Sequence, residues 1–248
     1  MKIEVRRRWV FLYLSLAVAF FLRQHSILLL TYISVVVVTA MLGMVLLPAR
    51  LRRAEQAYRT RAMQLLTQRE FGALDQFTAQ QKLLKWFGPR HLLAETQGMT
   101  AAGRGDHEGA ITHFERALQS APLPHYNRIR LNLARELSCR GDTAAARTIF
   151  EEILRLDETS ADAWAGLGLI LAQEGTDPRL AILHLETALA IGIPRDMSVQ
   201  LTLAELRIQL GDSRWVDAME RARQSGAPTE KIHRLKALAA QRNFEPPG

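Results

Sequence analysis

Two uninterrupted apolar runs, 9–22 and 27–47, open the chain; beyond residue 48 the apolar positions recur instead at spacings of three and four. The second run has 21 residues without a charge, which as a helix matches a hydrocarbon core of about 30 Å. It predicts a transmembrane helix in which Thr31, Ser34 and Thr39 bond back to the preceding turn and Pro48 closes the span. The first run, with 14 residues, is short for a span. Arg8 and Arg23 can snorkel from its ends, and Trp9 and Tyr13 suit an interface. Only Arg23-Gln24-His25-Ser26 separates the runs, so 9–47 is expected to form a tight membrane hairpin. Basic residues flank both outer ends (Lys2, Arg6, Arg7 and Arg8; then Arg50, Arg52 and Arg53), whereas the turn has Arg23 alone. By the positive-inside rule both ends are then cytoplasmic. Two other readings stay open. Ala17-Val18-Ala19 imitates a signal-peptide cleavage site, although it lies inside the apolar run. The first segment can also lie in the interface beside a single anchor, which would allow the remaining chain to face outward.

Everything after Pro48 reads as helix, with glycine and proline falling between apolar-periodic segments and no sustained alternation. The same punctuation recurs four times: Gly105-Asp106, Gly141-Asp142, Gly175-Thr176-Asp177 and Gly211-Asp212, at intervals of 36, 34 and 36 residues. Each glycine can end a helix in the left-handed conformation and each aspartate can cap the next. After each of the first three breaks a small residue is followed by a large one and another apolar one. These sets are Ala110, Phe114 and Ala117; Ala146, Phe150 and Ile153; and Ala181, Leu185 and Ala188. Spacings of four and three place each set on one helical face, so the small residue permits close helix approach and the large one fills the space beside it.

These features resemble the tetratricopeptide repeat (TPR) family, whose helix pairs of about 34 residues stack into a superhelix. Asp162-Ala163-Trp164-Ala165-Gly166-Leu167-Gly168 is the best match, and Gly98, Ala110, Phe114, Ala117 and Pro122 repeat the pattern upstream. Ala94 and Leu171 stand where the family favours aromatic residues, and one residue is inserted before Ala181. The resemblance, which covers about 54–228, implies an α-solenoid, so with the expected membrane hairpin the chain reads as all-α: the hairpin, then the solenoid. Its parts are a basic cytoplasmic N-terminus (1–8), the anchor (9–47), and a linker helix with a degenerate repeat (48–90). Repeats follow at 91–124, 127–160, 161–196 and 197–228, and then a polar-faced capping helix and tail at 229–248. The degenerate unit carries Ala57, Ala73, Phe77 and Pro89. The last repeat keeps Leu203, Ala204, Gly211-Asp212 and Pro228 but little else of the pattern.

Charge narrows the partners. The net charge of +7 is contained in residues 1–53, where eight basic residues face one acid, while 54–248 is balanced. Nucleic-acid binding needs a basic face on the folded part, so a nucleic-acid partner is not expected. Nor does chemistry stand out. None of the seven histidines forms an i, i+4 pair of the helical metal-site type, and Gly103-Arg104-Gly105-Asp106 is too short for a phosphate loop. Cys139, the sole cysteine, excludes an intramolecular disulfide and reads as a small packed thiol. No enzyme activity, cofactor or metal is expected.

In the family it resembles, the first helices of successive repeats line a groove for a peptide or a partner helix. Carried over, that groove comprises Arg128, Leu131, Asn132 and Arg135; then Asp162, Ala165, Gly166 and Leu169; then Leu201 and Glu205. Arg128, Asn132 and Arg135 share a face and can hold a carboxylate, although Asp162 and Ala165 in the next unit leave the family's full carboxylate clamp incomplete. The small Ala165 and Gly166 are expected to leave room for an incoming apolar side chain. The expectation is a membrane-anchored scaffold binding other proteins, resembling bacterial repeat proteins tethered at the inner membrane with repeats in the cytoplasm. The alternative is a structural subunit whose hairpin gives specificity and whose repeats act as a spacer.

Overall fold

The computed structural model describes residues 20, 26–192 and 196–242. The expected first membrane segment, 9–22, lies outside these except for Phe20, and with it the proposed hairpin; so do residues 1–8 and 243–248. Among the described residues every regular element is a helix, and the chain divides into two compact units. One comprises Met1–Met63 with Lys82–Gly88; the other comprises Gln64–Gln81 with Pro89–Gly248.

The first unit is dominated by α1, Ser26–Thr67, whose 42 residues also enter the second unit. At 1.5 Å per residue it is about 63 Å long. Its apolar window has a mean hydropathy of 2.4, and none of that window is buried among the described residues. Ser34 Oγ donates to Leu30 O at 2.9 Å, and Thr39 Oγ1 donates to Val35 O. Both hydroxyls are satisfied within the helix, as an apolar surrounding would require. Pro48 does not close α1. It sits inside the helix, where it costs one backbone hydrogen bond, and the chain continues through Arg50, Arg52 and Arg53 without a break.

In the degenerate unit the expected register is off by one. Ala57 and Ala73 are exposed and Phe77 is half-buried, whereas Tyr58, Ala62 and Leu65 in α1 and Leu74 and Thr78 in α2 (Phe71–Gln80) are buried. Arg69, at φ 58°, makes the turn between them. A short helix, α3 (Lys82–Phe87), belongs to the first unit.

The second unit continues with four helix pairs and a final helix. They are α4 (Arg90–Gly103) with α5 (His107–Leu118), α6 (Leu123–Arg140) with α7 (Thr143–Leu156), α8 (Ala161–Glu174) with α9 (Pro178–Ile191), and α10 (Met197–Leu210) with α11 (Trp215–Gln224). The last is α12 (Thr229–Gln241). The boundary placed between 124 and 127 falls within α6, which begins four residues before 127 with Pro124 in its first turn. Proline suits that position because the first-turn N–H groups have no intrahelical acceptor.

Small residues set the spacing of the pairs. In the first helices Gly98, Ala134, Gly168 and Ala204 are buried; in the second helices Ala110, Ala146, Ala181 and Ala218 are at most 1% exposed. One turn after the first three of the latter lie Phe114, Phe150 and Leu185. A Cβ on Gly98 would stand 2.7 Å from the Phe114 ring, and one on Gly168 would stand 2.7 Å from the Leu185 side chain. Glycine is required at both sites by close approach. The fourth pair hides the same pattern: Ser213-Arg214 lengthens its turn, so its buried alanine falls at 218, and Trp215 joins the core one turn earlier.

Candidate functional site

Within the second unit, α6 packs on α8, α8 on α10 and α10 on α12, whereas consecutive second helices do not pack on one another to a comparable extent. First helices that touch while second helices spread apart form the inner side of a bend. The inner face of α4, α6, α8, α10 and α12 is therefore the candidate interaction surface.

The structure distributes the expected groove residues along it unevenly. On α6, Arg128 Nη2 donates to Glu95 Oε2 of α4 at 2.9 Å, and Glu95 is 1% exposed. Arg135 Nη2 lies 3.4 Å from Asp162 Oδ1 of α8, with both side chains exposed. The arginines chosen as candidates for an incoming carboxylate thus already face carboxylates of neighbouring repeats. Asn132 is half-buried, and its amide has no hydrogen-bond partner among the described residues. Leu131 is half-buried against the core beneath it, as is Leu169 of α8.

Ala165 and Gly166 do not provide room for a ligand. Ala165 is 4% exposed within the core. A Cβ on Gly166 would stand 2.4 Å from the Phe150 ring of α7. The space beside Gly166 is filled by the preceding repeat, so this glycine serves helix–helix approach.

Leu201 and Glu205 of α10 lie in a cleft of about 240 Å³ formed with α12. Leu235 and Leu238 complete its apolar floor, and Lys231 and Arg234 stand on the α12 wall. Sequence reading missed the α12 side, taking that helix as a cap alone. The signal was present in the spacing: Lys231, Arg234 and Leu238 recur at three and four residues and share a face. Ile232 and Ala239 on the other side of α12 bury against the core, and Leu235, between the two faces, packs on that core as well as edging the cleft, which holds the charged face in place.

Titratable groups elsewhere are structural in character. The His184 ring lies 4.9 Å from that of Trp164, and burial lowers its pKa from the ordinary imidazole value. The Trp164 indole N–H donates to Glu158 O at 2.9 Å. Cys139 is exposed instead of packed. Its thiol is nevertheless pushed above the usual value, by partial burial first and by the Glu136 charge second, with Arg135 opposing. A raised pKa disfavours the thiolate, which is the nucleophilic form. No group of three or more His, Cys, Asp or Glu able to hold a metal ion occurs among the described residues.

No family model matches the sequence, and no curated protein does. Solved structures do. Pseudomonas aeruginosa PilF aligns with a TM-score of 0.62 at 17% identity, over 78% of this chain and 86% of that one. A thermophilic TPR protein of Thermus thermophilus aligns at 0.55 and 17% identity, over 77% and 100%. The C-terminal part of a TPR repeat-containing protein from Cytophaga hutchinsonii aligns at 0.53 and 13%, over 75% and 72%. The repeats have the tetratricopeptide fold. At these identities the likeness establishes the fold alone. The TPR stack explains why the inner face is formed by first helices and why the recurring glycines and alanines are buried.

Proposed function

We propose that this protein is a membrane-anchored scaffold that captures other proteins on the inner face of its TPR helices. The observation that carries the reading is the character of that face. Half-buried Leu131, Leu169 and Leu201 alternate with polar side chains, and the Asn132 amide, a donor and an acceptor together, has no partner among the described residues. An amide so placed suits the backbone of a bound peptide segment or helix, and the leucines suit its apolar side chains. Paired arginines make a free carboxylate clamp the poorer reading, because an incoming acid must displace Glu95 or Asp162.

The anchor is α1. Its exposed apolar window supports a membrane span, and tethering raises the local concentration of captured partners without any new contact. The basic flanks support a hairpin with the repeats at the cytoplasmic side of a bacterial inner membrane. A single cysteine at Glu245 in a Cys139→Ala background tests that orientation. Labelling by an impermeant thiol reagent only after lysis supports it, and labelling of intact cells places the repeats outside.

The capture reading is tested by photocrosslinking in cells. A photoreactive residue at Asn132 is expected to trap protein partners. The same residue at Glu151, exposed on the second helix α7, is expected to trap none of them. Adducts from Glu151 alone, or from neither position, contradict the reading.

A further inference from the structure

The cleft between α10 and α12 has a composition that selects its occupant. Its floor is formed by Leu201, Leu235 and Leu238, and its walls carry Glu205 on α10 and Lys231 and Arg234 on α12. Arginines of the repeats are commonly neutralised within the fold: Arg128 by Glu95, Arg130 by Glu152, Arg140 by Glu108, Arg147 by Glu174 and Arg207 by Glu186. Lys231, Arg234 and Glu205 differ, for none of them forms an ion pair among the described residues and all three are exposed. Two cations one turn apart on α12 outweigh the one carboxylate opposite. A volume of about 240 Å³ accommodates one large aliphatic side chain, and the surrounding charges lie at solvent level, where they can meet groups flanking that side chain.

From this charge complementarity we infer that the cleft binds an acidic protein segment that inserts a leucine-sized side chain between α10 and α12 and sets its carboxylates on Lys231 and Arg234. The inference rests on the protein-capturing role proposed above and locates part of it at the C-terminal end of the stack. Leu235 and Leu238 bury the inserted side chain, and the ammonium and guanidinium groups make charge-assisted hydrogen bonds to the flanking acids. Glu205 opposes a carboxylate on the α10 side and so fixes which way the acidic residues lie. Because the charges are exposed, binding weakens as salt is added.

Selection of phage-displayed random dodecapeptides on the full chain in detergent micelles tests this. The expected result is enrichment of sequences with a leucine, isoleucine or methionine flanked by Asp or Glu. A synthetic peptide of the enriched sequence is expected to lose at least tenfold in affinity on the double variant K231E/R234E, whose exposed positions leave the thermal unfolding midpoint unchanged. On Glu205→Gln its affinity is expected to hold or rise. Enriched peptides that are basic, or that bind K231E/R234E as tightly as the parent, overturn the inference. If such peptides lose affinity on Asn132→Ala instead, the inner-face reading stands and only the cleft assignment falls. No enrichment at all contradicts both.

Discussion

The long helix α1 and the repeat stack treat apolar side chains in opposite ways. In α1, Val35 is 63% exposed and Met44 is 82% exposed, while in the stack Ala110, Ala146 and Leu185 are fully covered. Both regions are helical and both are rich in aliphatic residues, so composition alone does not separate them. Periodicity does. The second helices α5, α7 and α11 concentrate their apolar residues on one face, where neighbouring helices cover them. The window in α1 is apolar all round, and no element among the described residues covers it. That exposed apolar window is the physical ground for the proposed bilayer anchor.

The comparison is sharpened most by removing a core side chain from the stack. Phe114→Ala deletes a buried ring and is expected to destabilise the repeats by about 3–5 kcal/mol, read by urea unfolding. Met44→Ala, in the exposed window, is expected to leave that transition in place. An equal effect from both would mean that α1 is part of the same cooperative core. Next in size is Gly166→Ala, where the added methyl meets the Phe150 ring. A loss of about 1–3 kcal/mol is expected from overpacking, and unchanged stability would return Gly166 to the open groove.

A smaller effect separates two aspartates that look alike in sequence. Asp177 accepts from Leu180 N at 3.0 Å as a helix cap, so Asp177→Ala should cost about 0.5–2 kcal/mol. Asp142 makes no such bond and instead holds Arg140. Asp142→Ala is expected to shift the unfolding midpoint less than Asp177→Ala does, since exposed ion pairs contribute about 0–1 kcal/mol. The smallest effect concerns His184. Its folded pKa is depressed, so the folded state binds fewer protons than the unfolded state. Its contribution is therefore complete above the unfolded value of about 6.5 and declines as pH falls through the folded value. An NMR titration of the ring should give a midpoint below that of a free imidazole.

Much of the stack was legible because its constraints are local. Gly105, Gly141, Gly175 and Gly211 all have positive φ, as their place before each second helix implied, and the buried alanines followed from spacing alone. What was not legible depended on choices between competing partners. Whether an aspartate caps a helix or holds an arginine is settled by a neighbouring side chain: Asp106 and Asp177 cap, Asp142 holds Arg140, and Asp212 accepts from Arg214 N. Gly166 looked like open groove because its neighbour Phe150 lies 16 positions earlier on another helix. Pro48 looked like a terminus because proline is costly inside a helix, yet the flanking residues continue the helix past it. The α12 half of the cleft was overlooked because one helix was assigned one role, although it buries one face and presents another.

The central claim is that α1 takes a bilayer as its surrounding while the repeats fold without one. Its most direct test is alkaline extraction of membranes from cells making the full chain, beside the variant V37R/L42R, which places two charges in the apolar window at positions 49% and 52% exposed. The account predicts that the parent stays with the lipid pellet and that the variant is released into the supernatant with its repeats still folded. Release of the parent, or retention of the variant to the same extent, would contradict it.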